Sequence, residues 1–186
     1  GTKIISGSQD SIGIVYPGLA KAHYEGDYWP TTIEHTLDET LLQFIEKSLY
    51  LVMLGPREDG YDVLDDTNIN EENAKALAVS TDQCWDAIHA QDVQAFGASI
   101  KATFEAQVAM FPNMLTKSAQ NLIDKYKDQA LGWKLSGAGG GGYLLFYCPQ
   151  EKQALLRETL SSLEEVPFEF EYNGSSIISR LKTSFV

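Results

Sequence analysis

Five glycines fall in the six positions Gly137-Ala138-Gly139-Gly140-Gly141-Gly142, set between two apolar, strand-like segments. Glycine gives up more backbone freedom on folding than any other residue, so a run this dense opposes folding unless the backbone itself is put to use. Successive N–H groups in a turn without side chains form a concavity that binds anions, phosphate above all. The plainer reading is a flexible loop. Such loops belong to polar linker sequence, whereas here Trp133-Lys134-Leu135-Ser136 leads in and Tyr143-Leu144-Leu145-Phe146-Tyr147 leads out. Two well-known nucleotide loops do not fit. Gly137, Gly139 and Gly142 satisfy GxGxxG, but that fingerprint opens a helix and this run opens a strand. No Gly-Lys-Ser/Thr closes the run, as a P-loop requires.

The rest of the chain predicts one α+β domain over residues 1–186, with a largely antiparallel sheet backed by packed helices. Residues 12–36 read as extended, with Leu19 to Tyr24 and Tyr28 to Ile33 flanking a hairpin turn at Glu25-Gly26-Asp27. Asp38 to Glu46 reads as a short helix. Leu49 to Leu54 is a continuous apolar run, as in a strand covered on both faces, and ends at Gly55-Pro56. Asn70 caps a helix whose first turn carries Glu71 and Glu72 and whose inner face is Leu77, Thr81, Cys84 or Trp85, and Ile88. Asp92 caps a second, with Val93, Phe96, Ile100, Phe104, Val108 and Phe111 at helical spacing and Pro112 as its stop. A third covers Leu115 to Lys127, with Leu115, Ala119, Leu122 and Tyr126 inward. After the strand Tyr143 to Cys148, Glu151 to Leu163 reads as a helix. Val166, Phe168, Phe170 and Tyr172 then alternate with polar positions as a half-buried strand. Asn173-Gly174 turns that strand into another bearing Ile177, Ile178 and Leu181.

Charge and cysteine content exclude several classes of function. The 186 residues carry a formal net charge of −12, a field that repels free nucleic acid and anionic membrane surfaces. No apolar run approaches the length of a membrane span. Cys84 and Cys148 form no CxxC and no disulfide framework, so a reducing cytoplasm is the expected compartment. His23, His35 and His89 lack metal-ligand spacing, and no metal site is expected. Asp59, Asp62, Asp65 and Asp66 read as a solvated loop. No serine stands in GxSxG. Gly1 replaces an initiating Met, which points to a fragment or a trimmed chain.

Two further segments carry chemistry-bearing residues. Asp10, in Gly7-Ser8-Gln9-Asp10-Ser11, is a carboxylate among small residues, able to take a proton from a hydroxyl or to hold positive charge near one; an ordinary turn aspartate is the plainer reading. Arg57, after Gly55-Pro56, can grip a phosphate or a sugar hydroxyl, or simply be a solvated loop arginine.

Lys134-Leu135-Ser136-Gly137-Ala138-Gly139-Gly140-Gly141-Gly142-Tyr143 closely resembles the third motif of the GHMP kinases, which include galactokinase, homoserine kinase and mevalonate kinase. Gly7-Ser8-Gln9-Asp10 resembles the segment with that family's catalytic aspartate. With Ile14-Val15-Tyr16-Pro17-Gly18 it looks most like the bacterial kinases of heptose phosphate or fucose. The resemblance covers the whole chain as the C-terminal half of such a kinase, and it implies a ferredoxin-like domain. It implies that Asp10 takes or orients the proton of a sugar hydroxyl. It implies also that Ser136, Gly137, Ala138, Gly139, Gly140 and Gly141 form the loop beside the transferred phosphoryl group. Gln9, Tyr16 and Arg57 become candidates for the sugar pocket.

Two departures qualify these expectations. Ser11 stands where the sugar-kinase branch commonly has Gln. The family's Gly-Leu-Gly-Ser-Ser loop, which cradles the ATP phosphates, is absent from these residues. ATP and Mg2+ are therefore expected in the complete enzyme and not on this chain alone, which is expected to be inactive without an N-terminal kinase half. A non-catalytic module that binds a sugar phosphate or a kinase partner is the second reading. A degenerate structural fragment is the third, with exposed apolar surface and a homodimer as its signature.

Overall fold

A computed structural model of the chain describes residues 7–173. They divide into two compact units, one running to Leu42 and resuming at Glu169, the other spanning Gln43–Phe168.

The first unit contains a helix α1 (Ser8–Val15) and two strands, β1 (Leu19–His23) and β2 (Thr32–Thr36). The strands pair antiparallel, from Leu19 opposite Thr36 to His23 opposite Thr32. This is the expected hairpin with a longer loop, since Tyr28 to Thr31 precede the second strand. Helix α1 corrects the expectation that the chain is extended from residue 12. Ile12, Ile14 and Val15 are β-branched and favour strands. Only Ile12 is buried, however, while Ile14 and Val15 are 66% and 60% exposed. A helix α2 (Glu39–Glu46) follows as expected. Asp38 starts it, its carboxylate accepting the N–H groups of Thr40 and Leu41 at 2.8 and 3.3 Å.

The second unit is built on a three-stranded antiparallel sheet of β3 (Leu49–Gly55), β4 (Gly132–Ser136) and β5 (Gly142–Tyr147), in the order β3-β5-β4. The central β5 buries Leu144 and Phe146 completely, and Leu135 of β4 and Val52 of β3 join them in one core cluster. β3 is covered fully on one face only: Tyr50 and Val52 are buried, Met53 is exposed. This corrects the expectation of cover on both faces. Its outer edge meets the segment after the last helix, with Met53 N–H donating to Glu164 O at 3.0 Å and Val166 N–H to Leu51 O at 2.8 Å.

That segment is a further correction. Val166, Phe168, Phe170 and Tyr172 are half-buried and Pro167, Glu169 and Glu171 exposed, as the alternation predicts. Among the described residues this segment forms an isolated bridge, Val52 to Glu165, and no strand across 166–172. The expected partner strand from Gly174, with Ile177, Ile178 and Leu181, lies outside the described residues.

Four helices complete this unit: α3 (Glu71–His89), α4 (Val93–Met110), α5 (Lys117–Tyr126) and α6 (Gln150–Thr159). The predicted caps are in place. Asn70 accepts the Asn73 N–H at 2.9 Å, and Asp92 accepts those of Gln94 and Ala95, each at 3.0 Å. Replacing Asp92 with Ala should lower stability by about 1 kcal/mol through two orphaned donors. A urea midpoint unchanged by Asp92→Ala would refute this. The inner face of α3 is Leu77, Ser80, Cys84, Ala87 and Ile88. Thr81 is exposed, correcting the prediction, and its neighbour Ser80 takes the buried position on that face. In α5, Ala119 and Tyr126 point inward as predicted, and Ile123 is buried with them.

Helix α4 lies unusually close to β4. A Cβ on Gly132 would sit 2.4 Å from Gly97 O, and one on Gly97 2.5 Å from the Leu131 Cβ. Two missing side chains thus let the helix meet the strand that feeds the glycine run. No helix among the described residues is long and apolar enough to cross a membrane.

Candidate functional site

The glycine run is the turn of the β4–β5 hairpin, which closes with Ser136 opposite Tyr143. Gly137, Gly139 and Gly140 have φ of 70°, 70° and 71°, a region that L side chains rarely occupy. Gly139, Gly140 and Gly141 are buried, whereas Ser136 and Gly137 are exposed. The loop is therefore a packed structure and not a mobile tether.

What packs it comes from two other places in the chain. Met114, at the end of the 3₁₀ turn Pro112–Met114, accepts the Gly140 N–H at 2.9 Å. The stretch after β3 supplies the rest. Tyr61 donates its hydroxyl to Ala138 O at 2.7 Å, and Arg57 donates its Nε–H to Gly139 O at 2.9 Å. The Arg57 guanidinium lies 5.8 Å from the Tyr61 ring centre. Loop carbonyls are thus held from one side. Among the described residues, the N–H groups of Ala138, Gly139 and Gly141 make no backbone hydrogen bond of ordinary geometry, while that of Gly140 is committed to Met114.

Arg57 was expected in the sugar pocket, and its Nε is engaged by the loop. Tyr61 and Met114 were not foreseen from sequence. Tyr61 stands among Asp59, Asp62, Asp65 and Asp66, in a stretch with no periodicity to mark one aromatic as different.

Asp10, Gln9 and Tyr16 belong to the first unit. Asp10 and Gln9 are exposed in the first turn of α1, where the helix dipole favours a carboxylate. The neighbouring Ser8 is buried and its hydroxyl shares a 2.7 Å hydrogen bond with that of Tyr24. Tyr16 follows the helix, half-buried, with its ring edge-on to His35 at 5.5 Å. Among the described residues, no group of three or more His, Cys, Asp and Glu is placed to hold a metal ion.

One charged group lies beneath the loop's leading strand. Lys134 of β4 donates from Nζ to Gln107 Oε1 on α4. Burial pulls its ammonium down from the ordinary 10.5 to about 8, with nearby Cys84 opposing the shift. Burial in turn pushes the Cys84 thiol up.

No family model matches the sequence. Among solved structures, a protein assigned as a sugar kinase from Campylobacter jejuni aligns over 93% of this chain and 51% of its own, with a TM-score of 0.68 at 16% identity. A D-glycero-D-manno-heptose 1-phosphate kinase from Bacteroides thetaiotaomicron aligns over 80% of this chain and 42% of its own, with a TM-score of 0.53 at 16% identity. The fold is that of the GHMP kinases. The GHMP fold is shared with a protein named MDDEF in complex with MVAPP, AMPPCP and magnesium, over 81% of this chain and 52% of that one (TM-score 0.57, 13% identity). By sequence, the L-fucokinase/L-fucose-1-P guanylyltransferase of Bacteroides fragilis is 32% identical over 99 residues, which cover 53% of this chain and 10% of the relative. The chain thus spans about half the length of these proteins that it matches in structure and a tenth of the curated relative. The likeness agrees with the resemblance carried by Lys134 to Tyr143 and with the expected α+β fold of antiparallel sheets and packed helices.

Proposed function

We propose that the chain supplies the acceptor-binding half of an ATP-dependent kinase that phosphorylates a hydroxyl of a sugar or sugar phosphate. In that reaction the acceptor oxygen attacks the γ-phosphorus, the bond to ADP breaks, and the hydroxyl proton passes to a base. Asp10 is assigned as the group that takes or orients that proton, with Gln9 and Tyr16 contacting the sugar. The N–H groups of Ala138, Gly139 and Gly141 receive charge on the phosphoryl oxygens. Phosphoryl transfer depends mainly on positioning and on fixed donors aimed at developing charge. The braced glycine loop, in a fold shared with sugar kinases, is the observation that supports this reading most. ATP and Mg2+ are assigned to a kinase half bearing the phosphate-cradling loop that these residues lack.

Titration of the 15N-labelled chain with inorganic phosphate, a panel of sugars, their 1-phosphates and MgATP tests the proposal. Phosphorylated probes should shift the amides of Ala138, Gly139 and Gly141, with MgATP no tighter than phosphate itself. Submicromolar affinity for MgATP overturns the half-kinase reading. Loop amides that ignore every phosphorylated probe overturn the assignment of the loop.

A further inference from the structure

We propose that Tyr61 and Arg57 are positioning residues that set which N–H groups the glycine loop presents. This rests on the reading of the loop as an anion receptor. The argument is one of peptide geometry. In a trans peptide the C=O and the following N–H point in opposite directions, and no described peptide bond is cis. The Tyr61 hydroxyl holds the Ala138 carbonyl at 2.7 Å, which aims the N–H of Gly139 away from Tyr61. The same logic applies one residue on. Arg57 Nε–H holds the Gly139 carbonyl at 2.9 Å, and the N–H of that peptide, on Gly140, meets Met114 O at 2.9 Å. The Gly139–Gly140 peptide is pinned at both ends and is a fixed strut. The Ala138–Gly139 peptide is pinned at one end and offers its donor at the other.

Contact reinforces the hydrogen bonds. A Cβ on Gly140 would stand 2.3 Å from the Tyr61 ring, and one on Gly141 3.0 Å from the backbone of Pro56 and Arg57. The ring and the Pro56–Arg57 backbone therefore occupy the space that side chains on the loop would take. Tyr61 keeps its donor proton over a wide pH range, because burial pushes its hydroxyl above the ordinary value for tyrosine. In this arrangement Arg57 acts on the loop through its Nε–H.

Three variants of the 186-residue chain separate these roles: Tyr61→Phe, Arg57→Ala and Arg57→Lys. The first removes one hydroxyl and no charge. The third keeps charge and a donor for the single Gly139 carbonyl. Readouts are the backbone order parameters of Gly139 and Gly140, the affinity for inorganic phosphate, and the melting temperature. The order parameter of Gly139 in Tyr61→Phe, and of Gly140 in Arg57→Ala, should fall from about 0.85 to below about 0.6. Phosphate affinity in Tyr61→Phe should drop about fivefold, as for one lost oriented hydrogen bond, while the melting temperature moves by less than about 4 °C. Arg57→Lys should restore the order lost in Arg57→Ala. Unchanged order in both Tyr61→Phe and Arg57→Ala overturns the proposal, whatever phosphate does. So does phosphate affinity that is unaltered in Tyr61→Phe. If the native loop is rigid, loosens in the variants and never responds to phosphate, the receptor reading falls, and with it the role of the two residues in presenting donors.

Discussion

Gly139→Ala should lower the stability of the second unit by about 3 kcal/mol, seen as a loss of roughly 6–12 °C in melting temperature. Two costs add. The residue holds φ at 70°, where an L side chain loses about 1–2 kcal/mol. Its new Cβ would also lie 2.5 Å from Met114 O and 2.6 Å from Met114 Cβ. Met114 is 2% exposed and belongs to the core, so it cannot retreat without disturbing the packing around it. Gly137→Ala is the internal control. It carries the same φ of 70° with open space at the Cβ position, and should cost about 1 kcal/mol. Equal losses in the two variants, measured by urea midpoints, would mean that backbone strain alone governs the loop and that its seat on Met114 carries no weight.

Much of this arrangement was legible in the sequence wherever a local rule matched the tertiary outcome. Asn70 and Asp92 are capping residues ahead of apolar periodicity, and both cap. The β1–β2 hairpin follows from a Gly-containing turn between strand-forming segments. Helix α1 was lost because Ile12, Ile14 and Val15 favour strands by local propensity while burial selects only Ile12. Residues 166–172 show a different outcome: alternation there reports burial correctly, although no strand is formed among the described residues. At the site, the glycine run announced a backbone use through its composition alone. The brace did not, because Arg57 and Tyr61 lie 82 and 77 residues from the carbonyls they hold, a pairing that no spacing rule encodes.

Lys134→Met should stabilise the protein at neutral pH by about 1–2 kcal/mol, a gain that closes by about pH 10. In the folded chain the Lys134 ammonium titrates at about 8 instead of 10.5. Between those values the unfolded chain binds more protons than the folded one, so stability rises with pH across that window. Below about pH 8 the buried charge imposes its full cost, about 3 kcal/mol from the size of the depression. Methionine removes that cost and gives back part of it, since Gln107 loses the donor it accepts from. The groups facing Lys134 do not reverse the sign: burial raises the Cys84 thiol and so favours its neutral form. Above about pH 10 tyrosines enter with the opposite sign, as burial raises Tyr50, Tyr61 and Tyr147, so the difference between native and variant is the quantity to follow. Chemical denaturation from pH 7 to 10 measures it. A Lys134→Met variant less stable than native at pH 7 would show that Lys134 and Gln107 gain more from each other than burial takes away.

The strand order β3-β5-β4 carries a consequence for how the chain comes to be made. β3 is complete by Gly55, but β5, the neighbour it pairs with, ends at Tyr147. During synthesis the apolar run Leu49 to Leu54 therefore waits with an open hydrogen-bonding edge while the α3–α4 hairpin, whose contacts are local, is free to form first. Only when the ribosome has released the β4–β5 hairpin is that edge closed, and the same event seats the glycine loop against Tyr61 and Arg57. The candidate site thus forms together with the closing of one edge of β3, while its other edge waits for the later segment Glu164 to Val166.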